Sequence, residues 1–226
     1  MRGLITGIAL VAVGVLWAGA SPAGQVGGLA TVMRPGDAAV SATVAYGVRD
    51  VVDHGDDEVT TLKMLLRGEF GVLDGLDLYG LLGLSSLSFD DANFDGSLGP
   101  TLGIGARYGL LNFPESNLRI ILDVQAEYSR VEDGSKRVSQ QRYHAATYVL
   151  KEFGAAGRVG YFYPYAGLKL SYARFDGSGG MDDYHSEDWL GIFAGADYFV
   201  SPNVYFSGEA HLFDETSLSL GVGYRF

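Results

Sequence analysis

From Ala38 onward, apolar and polar residues alternate. In "AVSATVAYGVRD", Val40, Ala42, Val44, Tyr46 and Val48 fall on one face. In "TLKMLLRGEFGV", Leu62, Met64, Leu66 and Phe70 lie opposite Lys63, Arg67 and Glu69. In "LDLYGLLGLSSLSF", Leu76, Leu78, Leu82 and Leu84 oppose Asp77, Tyr79 and Ser85. "LGPTLGIGARYGLL" sets Leu102, Ile104 and Tyr108 against Thr101, Gly103, Gly105 and Arg107. "LRIILDVQAEYSRV" sets Ile120, Leu122, Val124 and Tyr128 against Arg119, Asp123, Gln125 and Glu127. A period of two reads as strand. A sixth stretch, about residues 143–161, keeps phase only with a bulge near Glu152–Phe153. "YAGLKLSYARF", "WLGIFAGADYF", "VYFSGEAHL" and "SLSLGVGYRF" complete a set of ten. Eight remains the alternative count if one irregular pair is misread.

The connectors alternate in length. "VLDG", "NFPESN", "FYP" and "SPN" are short; "DVVDHGDDE", "DDANFDGS", "EDGSKRVSQQR" and "DGSGGMDDYHSED" are longer and acidic. The fifth member of the second set, "FDET", is short. Short turns on one rim and long loops on the other give the layout of an up-and-down antiparallel barrel that crosses an outer membrane. An even strand number leaves both barrel ends on the short-turn rim.

A soluble β-domain would also alternate, with the charged face turned to water. Four features favour lipid on the apolar side. The strands are about 10–13 residues, the length of a tilted membrane strand. Aromatics gather near the short-turn rim: Phe70, Tyr108, Phe113, Tyr161, Phe162, Tyr163, Tyr165, Tyr198, Phe199 and Phe226. A second set, Tyr128, Tyr172, Phe175 and Trp189, sits near the other rim, as two interfacial girdles would. Residues 1–20 carry Arg2, then an uncharged apolar run, then "AGA", the pattern of a removable signal peptide; a retained membrane helix is the rival reading. The fourth feature is the final Phe226. Residues 21–37 are expected to form a flexible periplasmic lead-in, and 38–226 the barrel.

Composition narrows the function. The 226 residues contain no cysteine, so neither disulfides nor lipoprotein processing is expected, and stability must come from another source. The net charge of −11 argues against nucleic acid as a partner. No cofactor motif is present, and none is expected.

The segment "GADYFVSPNVYFSGEAHLFDETSLSLGVGYRF" resembles the closing strands of small bacterial outer-membrane β-barrels, the OmpA/OmpX-like barrel domain. A Pro/Asn turn leads to a strand with an inward Glu, a loop and a strand that ends on an aromatic. The resemblance implies an assembly signal at Ser219, Gly221, Tyr224 and Phe226, read by the barrel-assembly machinery. It also implies export through the periplasm and a place in the outer membrane, among lipid and lipopolysaccharide. A monomer is expected. The chain departs from the best-known small members in its ten strands, where they have eight.

The polar faces should form a mixed-charge lumen: Lys63, Arg67, Glu69, Arg107, Asp123, Glu127, Arg158, Lys169, Asp197, Glu209 and Arg225, with Asp77, Tyr79, Arg119, Gln125 and Tyr205. A ten-strand barrel is narrow enough for side chains to fill. The expected role is therefore structural or surface-interacting, with a largely plugged lumen; a narrow solute channel is the alternative. Asp91, Asn93 and Asp95 resemble half a calcium loop, but Leu102 replaces the bidentate Glu. His54 with Asp53 and Asp56, or His185 with Asp183, is the raw material for a rim protease, and His185-Ser186 for a lipid A deacylase. Neither pattern is a complete catalytic motif, and no enzyme is expected.

Overall fold

The computed structural model describes residues 25–27, 33–52, 56–89, 94–154, 160–180 and 182–226. The expected signal peptide, Arg158, His54, Asp53, Asp91 and Asn93 lie outside them. The elements are β1 (Ala38–Val52), β2 (Asp56–Leu73), β3 (Leu76–Phe89), β4 (Phe94–Asp95), β5 (Gly99–Phe113) and β6 (Leu118–Asp133). They continue with β7 (Lys136–Lys151), β8 (Tyr161–Ser178), β9 (Tyr184–Ser186), β10 (Leu190–Phe199), β11 (Val204–Leu212) and β12 (Thr216–Arg225). Ten long strands pair antiparallel in sequence order, and β12 closes on β1 from Ala39↔Arg225 to Val48↔Thr216. Closure removes the open edge that lipid could not hydrogen-bond.

The two faces are chemically inverted relative to a soluble barrel. Ile104, Leu82, Leu168 and Leu66 point outward and are 68%, 58%, 55% and 54% exposed. Lys63, Asp77, Arg107 and Asp197 point inward and are fully buried. Water outside and a charged core inside would be unfavourable on both counts. The same arrangement suits a barrel in hydrocarbon.

At the rim away from the termini, β5, β10, β11 and β12 stop short of their neighbours. Short segments patch the gaps. β4 pairs with β3 at Ser88↔Asp95 and Phe89↔Phe94, and Ser97 N–H donates to Glu132 O on β6 at 3.1 Å. β9 bridges β8 (Phe175↔Tyr184) and β1 (Val51↔Ser186). Inside this distal collar lies an apolar core of Val51, Val59, Leu87, Phe89, Phe94, Val131, Val138, Ala173 and Phe175. Phe89 packs edge-on against Phe94 and Phe175 at 5.9 and 5.6 Å.

Four expectations are corrected. "EDGSKRVSQQR" is not a long loop: β6 and β7 run through it to a turn at Gly134-Ser135, where Gly134 has φ +59°. Its polar residues alternate as strand residues do. "FYP" is not a turn either, because β8 starts at Tyr161, and the connection lies at 152–160. The irregularity near Glu152–Phe153 is thus the end of a strand; the bulges fall at Gly71/Leu73 and Gly109/Leu111. The girdle lists also shrink. Tyr161, Tyr163, Tyr165, Phe199 and Phe175 face inward and are buried, since their parity is that of the polar face. Phe70, Tyr108, Phe113, Tyr128, Tyr172, Trp189 and Tyr198 do face outward.

Candidate functional site

Alternation sends every second side chain of ten strands into one narrow bore, so its contents follow from parity. Near the terminal end the lining is aromatic. Tyr161, Tyr163, Tyr165, Phe193, Phe199 and Tyr205 pack with Tyr148, Ile121, Val26 and Met33. Bulky tyrosines fit here because the facing residue on the next strand is glycine. Tyr79 pairs with Gly105, Tyr148 with Gly167, Tyr165 with Gly195 and Tyr205 with Gly223. The Tyr79, Tyr165 and Tyr205 rings lie where the Cβ of Gly105, Gly195 and Gly223 would stand, and a Cβ on Gly167 would meet Thr147 O and Tyr148 Cβ.

The lead-in enters this region. Val26 and Gly27 N–H groups donate to the two oxygens of Glu209 at 2.7 and 2.6 Å. Met33 N–H is shared by both oxygens of Asp77 at 3.0 and 3.1 Å. Gln25 accepts from Thr43 at 3.2 Å. At its described residues the segment is therefore tethered inside the barrel, where flexibility was expected.

The next layer holds Arg107, bonded to Glu69 at 2.8 Å and 3.6 Å from Asp123. Arg67 lies 3.1 Å from Glu69 and stacks on Tyr79 at 3.6 Å. Tyr79 donates to Asp123 at 2.8 Å, and His144 approaches the same carboxylate at 3.2 Å. Asp197 is fully buried, and neither of its carboxylate oxygens has a hydrogen-bond partner among the described residues.

Above it lies a denser layer. Lys63 on β2 reaches past two intervening strands to Glu127 on β6. Glu215 gathers three cations from three strands: Arg49 at 3.1 Å, Arg142 at 3.3 Å and Lys169. Asp214 takes Arg49 at 3.1 Å and Lys169 at 3.0 Å, and accepts from Ser171. His211 bridges Lys169 (2.9 Å) and Glu209 (2.6 Å). Bonds that span the bore tie distant strands together, which neighbouring-strand pairs cannot do.

Of the residues named from sequence, Lys63, Arg67, Glu69, Arg107, Asp123, Glu127, Lys169, Asp197 and Glu209 are buried inside. Arg225 sits at the terminal mouth, 2.6 Å from Asp37. The Arg225 guanidinium holds the Asp37 carboxyl below the usual carboxylate range. Arg119 meets Glu152 at 3.9 Å, partly exposed. Sequence reading missed Arg49, Arg142, His144, Asp214 and Glu215. Arg49, Arg142 and His144 have the inward parity. Asp214 and Glu215 lay in a stretch read as a loop; Phe213 takes φ +81° there, and the two acids after it are buried.

The assembly-signal residues occupy β12 and its end. Ser219 faces inward, Tyr224 faces outward, and the Tyr224 and Phe226 rings meet at 5.1 Å. Phe226 N–H donates to Ala38 O at 2.9 Å. Asp95 N–H approaches Asp133 at 3.3 Å, and no group of three or more His, Asp or Glu is gathered as a metal site among the described residues.

A family model described as the outer membrane protein beta-barrel domain matches residues 88–226, and the chain belongs to that family. No curated protein matches the chain. Among solved structures, it is similar to an outer membrane channel of Pseudomonas putida F1, with 14% identity, 90% of this chain and 100% of that one covered, and a TM-score of 0.46. It is also similar to the outer membrane protease OmpT of Escherichia coli (10% identity, 85% and 94% covered, TM-score 0.42). The attachment invasion locus protein Ail of Yersinia pestis is a third (16%, 85% and 99%, TM-score 0.39).

Proposed function

Starting from this outer-membrane β-barrel family, we propose that the protein is a structural or surface-presenting barrel with a sealed lumen. The observation that carries the reading is the stacking of three kinds of filling along one bore. The terminal end holds aromatics and the tethered lead-in. The middle holds ion pairs that cross from strand to strand. The distal collar holds an apolar core. A path for ions would have to pass all three, and the apolar collar offers a dehydrated ion nothing in exchange for its water.

In this reading the collar lies outside the cell, with the acidic loops toward lipopolysaccharide and the termini in the periplasm. No catalysis belongs to this reading. His185, the rim candidate, is exposed on β9 with Arg174 as its cross-strand neighbour, and Asp183 accepts from Gly177 N–H at 2.9 Å. The test is planar-bilayer recording in molar salt with the purified barrel. The expected trace is flat. Reproducible unit steps would assign a narrow channel instead.

A further inference from the structure

The dense layer of the bore is balanced in charge: Arg49, Lys63, Arg142 and Lys169 meet Glu127, Glu209, Asp214 and Glu215. The layer beneath is not. There Arg67 and Arg107 stand against Glu69, Asp77, Asp123 and Asp197, all buried. Counting His144 as a cation beside Asp123 still leaves one acid in excess. Both arginines are engaged by Glu69, and Arg107 also by Asp123. Asp77 receives the N–H of Met33. The excess therefore falls on Asp197, which is fully buried with no hydrogen-bond partner for either oxygen among the described residues. An ionised carboxylate so far from water is unfavourable unless a charge or donors meet it.

Neutral oxygens gather around it. Strand pairing sets Asp197 beside Ser207 on β11 and Tyr163 on β8. The preceding inward residue of β10 is Gly195, and the Tyr165 hydroxyl lies 2.5 Å from where its Cβ would stand. The following inward residue is Phe199, whose ring meets Tyr205 at 5.1 Å and walls the space toward the terminal mouth. The Ser207 hydroxyl lies 3.5 Å from Gln25 Oε1, which also accepts from Thr43. Glu209, the next inward residue of β11, is already engaged by Val26, Gly27 and His211.

We propose that Asp197 holds a monovalent metal cation of sodium or potassium size. The Ser207 and Tyr165 hydroxyls and the Gln25 side-chain carbonyl supply neutral oxygens, the ligand type hard cations take. One carboxylate in excess calls for one positive charge, whereas calcium sites gather several acids. A proton would not settle the site, because the acid's own O–H would then need an acceptor, and neither oxygen has a hydrogen-bonding neighbour. An ion bridges oxygens that stand too far apart to bond to one another. The docked lead-in at Gln25–Gly27 covers it. The inference goes beyond the sealed-lumen reading and does not depend on it, since a conducting bore could hold the same ion.

The barrel is unfolded by urea in lipid vesicles in sodium, potassium or choline chloride of equal ionic strength. A ligand that binds the native state alone raises stability with its concentration. The midpoint should be higher in sodium or potassium than in choline, and should climb as choline is replaced. D197N should erase that difference and Y165F should reduce it. D77N removes a buried acid from the same layer and should keep it; equal loss in D77N would make the effect one of general bore charge and overturn the site. Heat-modifiable migration in gels reads folding of each variant separately. A second measurement needs no variant: crystals of protein refolded in thallium(I) should show an anomalous peak beside Asp197, and its absence overturns the proposal. So does a midpoint indifferent to the cation. If that midpoint instead rises toward acid pH and D197N flattens the rise, Asp197 carries a proton and not a metal ion.

Discussion

Glu215 is the residue on which the interior leans most. It receives Arg49 and Arg142 at 3.1 and 3.3 Å and Lys169, from β1, β7 and β8, and its side chain is fully buried. Glu215→Gln keeps the shape and removes the charge. Asp214 can still face Arg49 and Lys169, but Arg142 loses its bond to Glu215 and the layer loses one negative charge. Breaking one side of a buried ion pair costs about 3–5 kcal/mol. With a urea slope of roughly 2–3 kcal/mol per molar, the unfolding midpoint should fall by about 1–2 M. The assay is urea unfolding in lipid vesicles, followed by tryptophan fluorescence under conditions where refolding retraces it. Adding Lys169→Met to the variant restores neutrality and should recover part of the loss. Glu132→Gln is the exposed control: its pairs with Arg137 (2.7 Å) and Arg130 (3.4 Å) are open to solvent, so the cost should be about 0–1 kcal/mol. If Glu215→Gln shifts the midpoint no more than Glu132→Gln, the interior network does not hold the barrel together.

Two further outcomes follow from packing and from the terminus. Gly105→Ala places a methyl where the Tyr79 ring lies and should cost about 1–3 kcal/mol by overpacking. Gly68→Ala faces open space and should be close to neutral; equal effects of the two in the urea assay would refute the ring-on-glycine account. Deletion of Phe226, which is 72% exposed and makes one backbone bond to Ala38, should lower the amount of barrel assembled in cells while leaving the refolded protein's stability within about 1 kcal/mol of the parent. Normal membrane levels of the deletion would remove Phe226 from assembly.

The faces of the strands were legible because a bilayer enforces them. A charge on the lipid side is penalised wherever it occurs, so Leu62, Met64 and Leu66, or Leu168 and Leu170, mark the outward parity without ambiguity. Strand ends lack that enforcement. Beyond the hydrocarbon both faces tolerate polar residues, and "EDGSKRVSQQR" reads equally well as loop or as the tip of a hairpin. Aromatics failed for the opposite reason. Rings are welcome at the lipid interface and also in a glycine-lined bore, so type alone placed Tyr161, Tyr163 and Tyr165 on the wrong side. Their parity, one step out of phase with Ala166, Leu168 and Leu170, carried the right answer.

The interior site shows why a plausible list can be incomplete without looking so. In the denser layer the sequence reading supplied Lys63 and Lys169 against Glu127 and Glu209. The structure adds Arg49 and Arg142 against Asp214 and Glu215, all inside. The omission removed as many cations as anions, so neutrality, the one global check on a buried charge set, was satisfied before and after. Arg49 and Arg142 were recoverable from parity. The acids were not, because their inward position depends on the left-handed turn at Phe213, and phenylalanine is among the last residues from which such a turn would be read. The turn therefore has two consequences. Inside, it delivers the two acids to Arg49, Arg142 and Lys169. Outside, it leaves the Phe213 ring exposed beside Asp50 and Glu58. The strain at one residue is set against the buried ion pairs it makes possible, so the exposed ring is the outward side of the same turn that places two acids in the bore.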